Sequence, residues 1–413
     1  MKKIKILAPI NNFISLKCAI KAKTDFIYFG INHLNMRARN NINFKLKDLK
    51  KISKICKKNN IKSYLTLNTI IYNHDIKLVK KIINYSKNKI NGIIASDNFV
   101  IQYAYKKKIN VILSTQNNVT NIETIKFYSK YIDTVVLSRE LNLKQIKEII
   151  KMIKKYKIVN RKNKKIKIEI FCHGSLCMAV SGKCYISLYN NNSSANRGIC
   201  KQNCRYEYLV KDKFNNEMSI KNKYIMSSKD LCTIPFLDKI VKTGISILKI
   251  EGRSKSPEYI YTTIKVYKKA LNLIKNKKYN KKNKQKLLNK LKKVYNRGFW
   301  SGYYLGKKIG EWSKKPGNNS KYKKIYIGNI IKYYKKINVI KCIIKTFYLK
   351  INEKIIIYNK YIGILKKKIK KIKKNNINIK KVKKNDIFTI KINKKYKIKK
   401  NDKIYKIVYE KNI

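Results

Sequence analysis

Arginine is scarce in this 413-residue chain. Of its 101 basic residues eight are Arg, at positions 37, 39, 139, 161, 197, 205, 253 and 297, and 93 are Lys. Glycine (14), proline (4) and the acidic residues (21) are also few. No uncharged apolar run reaches the length of a membrane-spanning helix, so no membrane partner is expected. The opening Met1-Lys-Lys-Ile-Lys-Ile-Leu is too short an apolar run for a signal peptide. Without a signal or a span the expected setting is cytoplasmic and reducing, where clustered cysteines read as a metal site rather than as disulfides. The chain has no C-x2-C pair, which makes a zinc ribbon or finger a poor match. G-x-S-x-G and H-E-x-x-H are missing too, so hydrolase chemistry has little support.

What is abundant is Lys, Ile, Asn and Tyr, and the formal net charge is +80. Such a charge ordinarily points to nucleic acid. These residues have codons rich in A and T, however, and the scarce ones have codons rich in G and C. Compositional drift accounts for much of the charge, and the remainder is open to an RNA-facing field. A corollary follows. Where drift favours Lys, a retained Arg or Gly marks a position where the cheaper residue fails, because Lys cannot copy a guanidinium fork and only Gly takes certain backbone angles freely. Such residues gather at Arg37-Ala-Arg39, Gly174–Gly182, Ala195–Gly198, Gly252-Arg253 and Arg297–Gly302.

Short β-branched runs alternate with Lys-rich amphipathic stretches. The runs are Ile4–Ala8, Phe26–Gly30, Ser63–Asn68, Gly92–Ala95, Val111–Gln116, Thr134–Arg139, Ile168–His173 and Ile247–Gly252. Helical periodicity lies between them, as at Leu46–Lys58 and Leu143–Lys155, and again at Ser256–Ile274 and Lys284–Tyr295. Eight strands with intervening helices predict an α/β fold, a TIM-like (β/α)8 barrel over residues 1–312, with a doubly wound open sheet as the alternative. A Cys-rich insertion, 172–246, separates the seventh and eighth strands. A linker at 313–324 leads to a small β-domain at 325–413, where Ile, Tyr and Val alternate with polar residues.

Six of the nine cysteines fall between Cys172 and Cys232. Four thiolates can hold an iron–sulfur cluster, and cluster spacings vary widely. A 4Fe-4S cluster is the preferred reading, on Cys177, Cys184, Cys200 and Cys232, with Cys204 as the substitute. Zinc and unligated buried thiols are the alternatives. Cys172 reads as a packed strand residue, and Cys18, Cys56 and Cys342 lie in apolar patterns of the core.

Polar residues mark the strand ends. His173 follows the seventh run and is read as catalytic, for general acid/base work, substrate hydrogen bonding or partnership with a thiolate, with a satisfied structural histidine as the alternative. Glu251 and Arg253 end the eighth run, either as catalytic groups or as a pair that closes the barrel. Arg37, Arg39, Asn68, Gln116 and Arg139 hold comparable positions. Together they predict a pocket able to clamp carboxylate or phosphate.

The motifs Phe171-Cys-His-Gly-Ser-Leu-Cys-Met-Ala-Val-Ser-Gly-Lys-Cys184, Asn196-Arg-Gly-Ile-Cys200, Ser228-Lys-Asp-Leu-Cys232 and Leu248-Lys-Ile-Glu-Gly-Arg-Ser-Lys-Ser-Pro-Glu-Tyr259 resemble those of the collagenase-like peptidase family U32. Its members include tRNA, rRNA and ubiquinone hydroxylation proteins. The likeness extends to Met36-Arg-Ala-Arg39, Leu113-Ser-Thr-Gln116, Val136-Leu-Ser-Arg-Glu140 and Arg297-Gly-Phe-Trp-Ser-Gly302. Length and the small β-domain look most like the branch of tRNA hydroxylation protein P. The resemblance implies oxygen-independent hydroxylation of wobble uridine in tRNA to 5-hydroxyuridine, with prephenate as the hydroxyl-donor substrate and a bound 4Fe-4S cluster. It carries the cluster onto Cys177, Cys184, Cys200 and Cys232, while some relatives ligate through a C-x3-C pair such as Cys200/Cys204. The sequence departs from the pattern at Lys183, where relatives have Arg, and at Ala8-Pro-Ile-Asn-Asn12, where relatives have Ala-Pro-Ala-Gly-Asn. The rival readings are a peptidase using His173 and a thiolate, an rRNA hydroxylase, and a non-catalytic scaffold.

Overall fold

The computed structural model describes residues 3–38, 43–209, 211–216, 224–306, 310–392 and 396–410. In chain order the barrel half contains β1 (Lys5–Pro9), α1 (Phe13–Lys21), β2 (Phe26–Phe29), α2 (Asp48–Lys58), β3 (Lys62–Leu67), α3 (Ile76–Ser86), β4 (Gly92–Ala95), α4 (Asn98–Lys106), β5 (Val111–Leu113), α5 (Ile122–Ser129), β6 (Thr134–Val136), α6 (Leu143–Lys155) and β7 (Lys167–Ser175). It continues with α7 (Ile186–Asn191), β8 (Asp230–Cys232), α8 (Leu237–Lys242), β9 (Ile247–Ile250), α9 (Pro257–Lys275), α10 (Lys281–Leu291) and β10 (Phe299–Trp300).

Strands β1 to β7 pair in chain order, and β9 closes the ring by pairing parallel with both β7 and β1. The eight parallel strands form the expected TIM-like barrel. Their runs are mainly apolar because helices cover the outer face while most of the inner face fills the core. All four residues of β2, β4 and β9 are buried. The helices are fixed by their ends as well as by their apolar stripes. In α6 the Asn142 side chain accepts from Gln145 N and the Gln145 side chain answers to Asn142 N, while Ile146, Ile149, Ile150 and Ile153 turn inward. Inside the barrel, Lys249 of β9 and Glu169 of β7 form an ion pair of 2.8 Å, with side chains 6% and 0% exposed.

The seventh strand departs from the sequence expectation. It runs on to Ser175, and its pairing register with β9 shifts between Phe171 and His173. The tail beyond the shift, His173–Ser175, pairs antiparallel with β8, and β10 pairs with β8 in turn. The Cys-rich insertion therefore leaves at Ser175 and returns as a strand beside its own departure point.

The second domain is made of β11 (Tyr322–Tyr334), β12 (Val339–Ile344), β13 (Leu349–Lys350), β14 (Lys354–Asn359), β15 (Gly363–Lys368), β16 (Ile372–Lys374), β17 (Ile377–Ile379), β18 (Lys381–Val382), β19 (Ile387–Lys391) and β20 (Lys403–Tyr409). Eight of these form one antiparallel sheet, and β13 and β18 pair separately. β11 begins at Tyr322, inside the stretch read from sequence as linker. The domain docks on the barrel through β15. Lys21 Nζ of α1 donates to Ile364 O at 2.7 Å, Lys366 pairs with Glu258 of α9 at 2.5 Å, and Cys18, Ile356, Tyr358 and Ile364 share a small core. Gly363, at φ +72°, lies so close that a Cβ there would sit 2.8 Å from Cys18 N.

Candidate functional site

The C-terminal ends of the barrel strands surround a cavity of about 410 Å³. Arg37, Asn68, Gln116, Arg139, Glu251 and Arg253 line it, and so do Cys177, Cys184, Cys200 and Cys204 from the insertion. Sequence reasoning brought these ten together from separate motifs. Arg205, Lys249, Lys255 and Tyr28 line the same space without having been read as site residues, and so does Arg297, which the sequence marked only through the Arg297–Gly302 cluster. The two arginines carried a signal in their rarity, whereas Lys255 was hidden among 93 lysines.

The insertion is pinned over the mouth by the residues that drift would have removed. Arg197 donates to Ile70 O at 2.8 Å and forms an ion pair with Asp75, whose carboxyl is held below its ordinary range against the opposing effect of burial. Gly198 sits at φ +89°, where a Cβ would come within 2.2 Å of Asn35 O. Gly182 packs against Gln116, where a Cβ would meet the side chain at 2.8 Å. Asn196 accepts from Cys184 N at 3.2 Å and so fixes that cysteine's backbone.

Five of the eight arginines line this one cavity. Arg253 donates through Nη1 to Asn35 Oδ1 (2.7 Å) and Thr66 Oγ1 (3.0 Å), and its buried Nε has no protein partner. Arg139 lies 4.1 Å above the Phe171 ring, also with a buried, unpartnered Nε. Arg37 pairs with Glu251 at 3.6 Å. Arg297 reaches Asp230 (3.5 Å) and Ser175 Oγ (3.1 Å), and Arg205 donates to Ser228 O and Leu176 O. Burial alone would raise the Glu251 carboxyl. Arg37, Arg253, Arg139 and the Tyr28 hydroxyl outweigh it and hold Glu251 ionised. Cations exceed anions around the space, and unsatisfied guanidinium donors remain, so the site is built for an anion. Asn68 Nδ2 donates to Gln116 Oε1 at 3.0 Å, and both line the cavity.

The four cavity cysteines are all free thiols. Burial is the largest effect raising Cys184 and Cys204, and the charges of their cysteine neighbours add to it, which places the four within electrostatic reach of one another. Arg205 opposes that rise at Cys204. Among the described residues no three His, Cys, Asp or Glu side chains converge closely enough to hold a single ion. Cys177, Cys184, Cys200 and Cys204 line one cavity and match in number and type the four thiols that hold an iron–sulfur cluster.

Two residues read from sequence as site members lie elsewhere. Cys232 is 2% exposed on β8, opposite His173, and its thiol is pushed up to about 12, chiefly by burial. Its neighbours are Cys172 and Tyr267, and Cys204 takes the place beside Cys177, Cys184 and Cys200. The reason is the antiparallel return, which carries Cys232 down into the core. His173 is 1% exposed, ringed by Tyr259, Tyr267 and Phe299 at 5.5–5.8 Å, and pushed down to about 3 by burial. It does not line the cavity, because the register shift turns it toward α9. Arg39 lies outside the described residues.

A protein of Porphyromonas gingivalis named collagenase is 44% identical over 403 residues, 97% of each chain. The tRNA hydroxylation protein P of Helicobacter pylori is 32% identical over 323 residues, 74% of this chain and 72% of that one. The 23S rRNA 5-hydroxycytidine C2501 synthase of Escherichia coli is 31% identical over 274 residues, 66% of this chain and 40% of that one. The sequence profile of peptidase family U32 matches residues 11–314, so this chain belongs to that family.

Proposed function

We propose that this chain hydroxylates RNA, converting wobble uridine of tRNA to 5-hydroxyuridine, with prephenate, a small dicarboxylate, as hydroxyl donor. The observation that carries the reading is the meeting of four free thiols and five guanidinium groups in one barrel-mouth cavity. RNA as substrate is supported by the relatives named for tRNA and rRNA hydroxylation. A 4Fe-4S cluster on Cys177, Cys184, Cys200 and Cys204 would supply one-electron transfer at the cavity wall.

The protein's own groups bind and orient. Arg253 and Arg139 line the cavity with guanidinium groups that can meet carboxylates of the donor molecule. Glu251 stays ionised and holds Arg37 in place, and Tyr28 fixes Glu251 by donating to it at 3.1 Å. Asn68 and Gln116 offer amide groups to the remaining polar atoms. A separate groove of about 780 Å³ between α1, α9, α10 and β15 is lined by eight lysines and a single acid, Glu258, and suits the phosphate backbone of RNA. No helix among the described residues is long and apolar enough to cross a membrane.

The relative named collagenase favours a second reading, a peptidase. Such a reaction needs a thiolate beside an accessible histidine. His173 and Cys232 are register partners, but both are sealed in the core. His33 and His74 are exposed and do not line the cavity. Nucleoside mass spectrometry on tRNA and 23S rRNA from cells with and without the gene decides between the substrates. Unchanged 5-hydroxyuridine and its derivatives in tRNA would refute the tRNA reading. Gelatin cleavage by metal-free protein would establish the peptidase.

A further inference from the structure

Lys255 lies on the same cavity wall as Arg37, Arg253 and Arg297. It follows Arg253 by two residues and directly precedes Ser256, whose side chain caps α9, and its backbone N–H is tied to Gly252 O at 3.0 Å. The chain at this point is therefore held between a strand end and a helix start. Among the described residues no carboxylate pairs with the Lys255 ammonium. Its Nζ instead sits 3.2 Å from the centroid of the Tyr295 ring, which Arg297 also covers at 5.3 Å. Two cations share one ring, and the space in front of them is open cavity.

We propose that Lys255 is an imine-forming residue, which captures the carbonyl carbon of a 2-oxo acid whose carboxylate rests on the neighbouring guanidinium groups. The inference rests on the reading that the mouth takes prephenate, whose side chain has a ketone beside a carboxylate, and adds that a lysine captures that ketone. The step balances without an oxidant or reductant. The Nζ lone pair forms the N–C bond as the carbonyl π bond opens to a hydroxyl. The C–O bond then breaks, and water departs with the two amine hydrogens. The neutral imine left behind fixes the acid, and on taking up a proton from solvent it becomes an iminium that draws electrons from the carbon skeleton.

Capture requires a neutral amine. Burial, Arg297 and Arg37 lower Lys255 to about 7, against the opposing charges of Asp230 and Glu251. A far larger share of Lys255 is then neutral near pH 7 than of an ordinary lysine. That margin makes a selective assay possible in a chain with 93 lysines.

The test uses the full chain, pyruvate as probe and sodium cyanoborohydride at pH 7, followed by peptide mapping and, separately, calorimetric titration with pyruvate. The expected result is preferential carboxyethylation of Lys255. Labelling there levels off above about pH 8, while labelling of the other lysines keeps rising. Lys255→Arg abolishes that adduct yet binds pyruvate within a few-fold of wild type. Binding of pyruvate without preferential labelling at Lys255 overturns the imine and leaves the anion clamp standing. Failure of the wild type to bind pyruvate at all overturns both.

Discussion

Replacing Cys204 and Cys232 by serine, one at a time, separates a cavity thiol from a core thiol. Cys204 is half-buried beside Arg205 and shares the cavity with three other cysteines, whereas Cys232 is 2% exposed and packs with Cys172 and Tyr267. Losing a hydrogen-bonded partner behind a metal ligand typically costs about 10–100-fold in metal retention. Losing the ligand itself costs more, so Cys204→Ser is expected to retain less than about a tenth of the iron and sulfide of the wild type. Cys232→Ser exchanges a protonated, buried thiol for a hydroxyl. Its cost is that of burying a more polar group, about 1–3 kcal/mol, read as a fall of a few degrees in Tm with iron content unchanged. Anaerobic purification followed by iron and sulfide analysis and a thermal melt reads both effects. The reverse pattern, with iron lost from Cys232→Ser and kept in Cys204→Ser, would refute the placement of the cluster.

His173 supplies a pH test. Its folded pKa is depressed to about 3, so between there and its ordinary value of about 6.5 the unfolded chain holds a proton that the folded one does not. Stability contributed by neutral burial is present above pH 6.5 and falls with pH below it, by about 2 kcal/mol at pH 5. His173→Phe is expected to remove that slope in denaturant melts at pH 5 and pH 8. Gly198→Ala forces a Cβ against Asn35 O in a left-handed backbone, so a loss of about 1–3 kcal/mol and a disturbed Arg253 are expected, read by melting and pyruvate binding. Charge reversal at Lys265, Lys269 and Lys290 in the lysine groove should lower the slope of log affinity against log salt for tRNA by about one per contacting lysine.

The barrel was legible because parallel strands buried on both faces leave unbroken apolar runs that helical stretches do not. Six of the strand-end and cavity polar residues were legible for a related reason, since barrel topology gathers every strand's C-terminal end at one mouth. What the sequence could not show were the events inside β7. A one-residue register shift exchanges the faces of a strand, and it removes His173 from the mouth. The return of β8 beside it then decides that Cys232 is core and Cys204 is not, although both lie at plausible spacings. Lys255 was invisible for want of contrast. Arginine had that contrast: Arg37, Arg139, Arg205, Arg253 and Arg297 line the cavity and Arg197 pins its lid, while Arg161 ties down the Tyr105 and Ile109 carbonyls elsewhere.

The seam at Gly363 bears on how the chain would measure its substrate. Cys18 lies against the Gly363 backbone and Lys366 is bound to Glu258, so the β-domain is joined to the barrel by a packed seam and an ion pair. A nucleic acid held along the lysine groove and a base delivered to the mouth would then be separated by a fixed interval. On the proposed function that interval would be set within the barrel, which supplies every lysine of the groove but Lys366, and the docked β-domain would close one side of the groove.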